Sequence, residues 1–198
     1  MSQTPLNRYF QRITLASKSP RRAALLRQIG LDFDVQPSAV EEPEITGKSP
    51  EVAVVEIAKA KARAVSEAVE GGLVIGADTT VVLGGQAIGK PHDKAHAVEI
   101  LRQLSGNVHE VITGVALIDA DRRRETAWAE TTKVHFRALC EAEIADYVDS
   151  GEAADKAGAY GIQGRAAAFV TRVEGCYFNV VGLPLAGLVE RLWRWAKP

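Results

Sequence analysis

Leu15-Ala-Ser-Lys-Ser-Pro-Arg-Arg-Ala-Ala-Leu25 joins a strand end, a short polar loop and a helix start. Ile13 to Ala16 is apolar enough for a buried strand. Ser19 suits an N-cap and Pro20 the first helical position. Leu25, Leu26 and Ile29 then form an apolar face before Gly30 closes the helix. The open amides of that first turn favour an anion. Arg21 and Arg22, with Lys18 just before the cap, suit several phosphate oxygens better than one carboxylate. A capped surface helix with solvated arginines is the other reading of the same residues.

Outward from this stretch, strands and helices alternate without low-complexity tracts or an obvious linker. Ser49-Pro50 opens a helix to about Val69, with Val55, Ala58, Ala62 and Val65 at helical spacing. Leu73 to Ala77 reads as a short apolar strand ending at Asp78. Val81 to Leu83, Gly84-Gly85 and Gln86 to Ile88 read as a hairpin. Asp93 caps a helix carrying Ala97, Ile100, Leu101 and Leu104, and Gly106 stops it. Val108 to Ile118 and Ala127 to Phe136 are two long strands joined through Asp121-Arg-Arg-Arg-Glu125, most simply a solvated hairpin tip. A helix from about Glu141 to Asp149 precedes Gly158-Ala-Tyr-Gly-Ile-Gln-Gly164. Strand character resumes from Ala168 to Val173, and Pro184 starts a terminal helix with Leu185, Leu188, Val189 and Leu192 inward. The pattern is mixed α/β, with a sheet that includes antiparallel hairpins.

The 198 residues suffice for one generous domain or two small lobes. With 24 basic against 25 acidic residues, broad nonspecific nucleic-acid binding is not expected. Cys140 and Cys176 are too few and too far apart for a disulfide framework or a zinc site. Met1 to Arg12 is polar and no apolar run approaches membrane length, so no membrane partner and a reducing cytoplasm are expected.

Several polar residues fall where chemistry could use them. Asp78, in Gly76-Ala-Asp-Thr-Thr80, could hold a divalent cation or take a proton from water; a turn aspartate bonding nearby amides is the plain alternative. Glu41-Glu42 lies in a polar connection before Pro43, either solvated or completing a metal site with Asp78. Mg²⁺ is the expected kind of ion, because hard oxygen ligands and phosphates suit it. Lys61 borders the apolar face set by Ala58 and Val65, where a snorkelling lysine is the simpler explanation. Lys90, held before Pro91, could bind a phosphate or face solvent. Gln163 offers a donor and an acceptor matching the imide edge of uracil or thymine, although Gly161 and Gly164 could equally mark only a tight turn. His92, His96, His109 and His135 show no ligand spacing and receive no role.

In combination, four segments resemble the Maf family of nucleoside triphosphate pyrophosphatases. They are Leu15-Ala-Ser-Lys-Ser-Pro-Arg-Arg, Gly76-Ala-Asp-Thr-Thr-Val-Val, Gly89-Lys-Pro and Gly161-Ile-Gln-Gly. Leu104-Ser-Gly106 and Asn179-Val-Val-Gly-Leu-Pro184 extend the resemblance from about Ile13 to the terminal helix. It implies a single Maf-like domain over residues 1–198: an elongated mixed sheet flanked by helices, in two lobes about a cleft, akin to inosine triphosphate pyrophosphatases. Asp155-Lys-Ala-Gly-Ala-Tyr-Gly-Ile-Gln-Gly164 resembles the dTTP/UTP subgroup more than the 7-methyl-GTP subgroup. Carried across the matching motifs, the family's roles make Asp78 the proton acceptor. Arg21, Thr79 and Gln163 fall on positions linked to substrate choice. By looser alignment Glu42, Arg22, Lys61 and Lys90 fall on metal and phosphate contacts. Cys176 departs from an expected serine, and Ala153-Ala154 replaces a proline-containing pair before Gln163.

The implied reaction is hydrolysis of dTTP or UTP to monophosphate and pyrophosphate with Mg²⁺ or Mn²⁺, and the family also accepts modified pyrimidine triphosphates. Water attacks the α-phosphorus while cationic groups hold the leaving charge. Two other readings stand beside it: a nucleotide-binding regulator of cell division or septum formation, and a 7-methyl-GTP pyrophosphatase. A homodimer is a family expectation, and Trp193 and Trp195 serve either such a surface or simple packing.

Overall fold

Three long strands organise the chain: β3 (Leu73–Leu83), β5 (Val108–Asp119) and β6 (Arg124–Phe136). The computed structural model describes residues 5–40 and 47–196. Short strands complete a seven-stranded sheet: β1 (Ile13–Leu15), β2 (Asp34–Val35), β4 (Gln86–Ile88) and β7 (Val170–Glu174). The order is β2-β1-β3-β5-β6-β7, with β4 paired to β3. β1 runs parallel to β2 and β3, while β4 on β3 and β7 on β6 are antiparallel. The helices are α1 (Pro20–Gln28), α2 (Pro50–Ser66), α3 (Lys94–Leu104), α4 (Glu141–Asp149), α5 (Tyr177–Val181) and α6 (Leu185–Ala196). The expected mixed α/β class is the observed one.

β3 departs from the sequence reading. It continues through Asp78 to Leu83 rather than stopping at a loop, so Asp78 sits mid-strand. The polar Asp78-Thr-Thr80 imitates a turn, but these residues are half-buried within a strand whose flanks are apolar and β-branched.

The chain divides into two compact units. The first holds residues up to Asp78, Thr113–Glu130 and the segment from Gly182. Its α1 begins as the sequence predicts, with Ser19 Oγ accepting from the Arg22 amide and Pro20 at the first position. Ala58, Ala62 and Val65 of α2 lie buried with Ala16, Val74 and Ala116. Alanines dominate because helix and sheet nearly touch. A Cβ on Gly76 would overlap the Ala58 carbonyl and fall 2.9 Å from Ala62 Cβ; one on Gly114 would overlap Val54. These two glycines serve close backbone approach.

The run from Asp121 to Glu125 is more than a solvated tip. Arg122 Nη1 bonds Asp119 Oδ2 at 3.0 Å and Nη2 bonds the Tyr9 carbonyl at 3.0 Å. Asp121 accepts from the Gly72 amide at 3.0 Å, and Glu125 pairs with Arg63 at 2.8 Å. In α6, Trp193 is exposed and stacks edge-on to Tyr9 at 5.9 Å, while Trp195 is half-buried.

The second unit holds Thr79–Ile112 and Thr131–Val181. Asp93 caps α3 through its bond from the His96 amide at 2.7 Å. Behind α3 and α4 lies a buried aromatic group: Phe136 meets His109 at 4.9 Å, Tyr160 at 4.8 Å and Phe169 at 5.9 Å. Asn179 is wholly buried, and its Nδ2 donates to the Val111 carbonyl (2.9 Å) and Thr132 Oγ1 (3.0 Å). Its motif therefore has a structural reason, since the buried amide ties β5 to β6 through these two bonds. Both cysteines are free, Cys140 exposed and Cys176 half-buried. Among the described residues, no helix is long and apolar enough to cross a membrane.

Candidate active site

In the first unit, the site residues gather where α2 crosses β3. Gly76 and Asp78 are two apart on one strand and so share a face. The missing Cβ of Gly76 admits Ala58 and Ala62, and this brings Lys61, between them on α2, onto Asp78. Lys61 Nζ donates to Asp78 Oδ1 at 2.8 Å, with each side chain 19% exposed. The lysine that borders the apolar stripe thus ends on a carboxylate rather than in bulk water.

Arg22 reaches back under the first turn of α1. Its Nε donates to the Gly182 carbonyl at 2.8 Å and its Nη1 to Ser17 Oγ at 3.0 Å. Burial pulls its guanidinium down to about 10, countered by the Asp78 carboxylate and reinforced by Arg21. It therefore stays charged at neutral pH, and two of its nitrogens are committed to holding this corner together. Arg21 is half-buried beside it and Lys18 is exposed. Ser17 and Gly182 carry no chemical signature in the sequence, and only the fold reveals them as Arg22's partners.

In the second unit, Thr79 is half-buried on β3, while Lys90 and Gln163 are exposed. Lys90 and Gln163 belong to loops that the backbone ties together, since the Gly158 amide donates to the Gly89 carbonyl at 3.1 Å. Gly158 has a left-handed φ of 72°, and a Cβ there would fall 2.8 Å from Val81 Cγ2. Gly161 to Gly164 forms a turn closed by the Gly164 amide on the Gly161 carbonyl at 3.0 Å, with Gln163 inside it.

His109, given no role from sequence, supports this loop. Its Nε2 lies 2.8 Å from Tyr160 Oη, next to Gly161. Burial, with a smaller push from His135, takes its imidazole down to about 4, so it is neutral at physiological pH.

Glu42 lies outside the described residues, as does Glu41. Among the described residues there is no cluster of three or more His, Cys, Asp or Glu side chains placed to hold a metal ion. Asp78 is a hard carboxylate donor, suited to an ion that takes its remaining ligands from water and phosphate.

Residues 12–195 match the family model described as Maf-like protein. The dTTP/UTP pyrophosphatase of Pelotomaculum thermopropionicum is 51% identical over 180 residues, 91% of this chain and 94% of that one. The dTTP/UTP pyrophosphatase of Carboxydothermus hydrogenoformans is 47% identical, over 93% and 98% of the two chains. That of Symbiobacterium thermophilum is 48% identical, over 95% and 96%. A solved structure, the Staphylococcus aureus Ham1 protein, shows a partial likeness: TM-score 0.46 and 18% identity, over 63% of this chain and 71% of that one. With a family model spanning nearly its whole length and relatives about half identical to it, this chain belongs to the Maf family.

Proposed function

We propose that this protein hydrolyses dTTP and UTP to the nucleoside monophosphate and pyrophosphate. The observation that carries the reading is the Lys61–Asp78 pair beside the arginine-bearing start of α1. Relatives bearing the name dTTP/UTP pyrophosphatase, about half identical over more than nine-tenths of the chain, supply the substrate class.

Water oxygen attacks the α-phosphorus, the bridging bond to the β-phosphate breaks, and pyrophosphate departs. The proton of the attacking water passes to Asp78. Its Oδ1 is engaged by Lys61, so we assign the transfer to Oδ2. Lys61 fixes the carboxylate in place. Arg21, at the first turn of α1, and Lys90 balance phosphate charge, and Arg22 holds that turn in position through Gly182 and Ser17. Thr79 and Gln163 select the base, Gln163 by its amide against the pyrimidine imide.

A divalent cation, Mg²⁺ or Mn²⁺, fits this donor set through Asp78 and the substrate's phosphates, with Glu42 as a second carboxylate; when bound it neutralises phosphate charge. A cytoplasmic setting and a homodimer complete the reading.

The test is a panel of dTTP, UTP, dCTP, GTP and 7-methyl-GTP with Mg²⁺ or Mn²⁺, resolving monophosphate, diphosphate, phosphate and pyrophosphate. Pyrophosphate release from dTTP and UTP well above the others is expected. Turnover confined to 7-methyl-GTP moves the chain to the other subgroup. Nucleotide binding without turnover makes it a regulatory binder.

A further inference from the structure

Gln163 sits in a turn that is clasped at both ends by side chains without an assigned role. At its entrance, the Gly161 amide donates to Tyr147 Oη at 3.1 Å. Tyr147 is buried in α4, its ring edge-on to Phe169 at 5.2 Å, so its hydroxyl is held on a rigid stem. At the exit, the Arg165 amide donates to Glu152 Oε2 at 3.0 Å. The two glycines flanking Gln163 give these clasps room. A Cβ on Gly164 would overlap Glu152 Oε2, and one on Gly161 would fall 2.8 Å from Lys156 Cε. Lys156 Nζ is itself tied to the Glu152 carbonyl at 2.7 Å. The glycines therefore mark clearance for two clasps as well as a turn.

We propose that Tyr147 and Glu152 are positioning residues for base selection, acting by fixing the Gly161–Gly164 turn and with it the Gln163 amide. The proposal rests on Gln163 reading the pyrimidine. A flat imide edge is distinguished from its neighbours by donor and acceptor direction, so an amide on a loose turn would bind several bases about equally. Neither clasp residue carries a role in the proposed triphosphate chemistry, so loss of a clasp alters the choice among bases more than turnover on the preferred one.

The experiment compares kcat/KM for dTTP and dCTP in Tyr147→Phe, Glu152→Ala, Glu152→Gln, Gln163→Ala and the double variant Tyr147→Phe/Gln163→Ala, each with its urea midpoint. Tyr147→Phe keeps the buried ring, and Glu152→Gln keeps an acceptor for Arg165. Tyr147→Phe and Glu152→Ala should each reduce the dTTP preference about 3- to 10-fold, the net scale of one hydrogen bond. Glu152→Gln should restore it, and the double variant should lose no more than Gln163→Ala alone. A full preference in both clasp variants, with Gln163→Ala impaired, overturns the positioning role and leaves Gln163 in place. An unchanged preference in Gln163→Ala removes the base-reading role and this proposal with it.

Discussion

Lys61 Nζ and Asp78 Oδ1 lie 2.8 Å apart on two different elements, α2 and β3, with both side chains mostly withdrawn from water. Such a pair, away from bulk solvent, is screened less and keeps its geometry better than an exposed one. A carboxylate held this way points its second oxygen in a fixed direction, the requirement for a base that acts on one water molecule.

Lys61→Met keeps the aliphatic stem and removes the ammonium. Asp78 then loses a charged hydrogen bond, so stability should fall by about 1.5–3 kcal/mol in urea denaturation. Turnover of dTTP should fall at least about tenfold in the still-folded protein, with the larger effect on kcat if the lysine orients the base. A loss confined to KM would make Lys61 a substrate contact alone.

Gly76→Ala tests how the pair is built. The new methyl meets the Ala58 carbonyl, backbone that cannot swing aside, so α2 must move away from β3. Overpacking of this kind costs about 1–3 kcal/mol. The account expects a lower thermal midpoint and, at a temperature where the variant is folded, reduced kcat as Lys61 is drawn off Asp78. Equal stability to the parent protein would mean that the helix-to-strand approach is looser than described.

His109 gives a pH signature. Its imidazole lies near 6.5 in the unfolded chain and about 4 in the folded one. Between these values the unfolded state binds the proton and the folded state does not, so stability rises with pH. The contribution is complete above about pH 6.5 and is lost as pH falls towards 4, a change on the order of 3 kcal/mol. His109→Phe keeps a ring against Phe136 but leaves Tyr160 Oη without this partner. It should be less stable at pH 7.5, with a flatter fall in stability between pH 6.5 and 4. An unaltered slope, by urea titration across that range, would assign the acid sensitivity to other groups.

The parts of the structure legible in the sequence are those set by neighbours along the chain. Ser19 and Pro20 mark the start of α1 because capping involves an amide three residues away, and Asp93 announces α3 for the same reason. What was illegible depends on residues far apart in sequence. Asp78-Thr-Thr80 looks like a break until β3 is seen to run on from its β1-paired start, Leu73–Ile75, to its β4-paired end, Val81–Leu83. Lys61 alone reads as a snorkelling side chain. Only the packing of Ala58 and Ala62 over Gly76 shows where its ammonium ends. Arg22 reads as a phosphate ligand, and nothing in its own segment shows that its Nε and Nη1 also hold the carbonyl of Gly182 and the hydroxyl of Ser17. The aromatic group around Phe136 joins residues from β5, α4 and the loop at Tyr160, a meeting that periodicity within any single segment leaves unseen.

The central claim is that Asp78 takes the proton from the attacking water. Asp78→Asn preserves shape and can still accept from Lys61 through its amide oxygen, but it has no carboxylate to receive that proton. The measurement is single-turnover pyrophosphate release from dTTP at saturating Mg²⁺, with circular dichroism and nucleotide binding checked in the same preparation. The account predicts folded protein that binds dTTP and a rate lowered at least about a hundredfold, the scale of a lost general base. A near-normal rate in the folded, metal-saturated variant would contradict it and remove Asp78 from the mechanism.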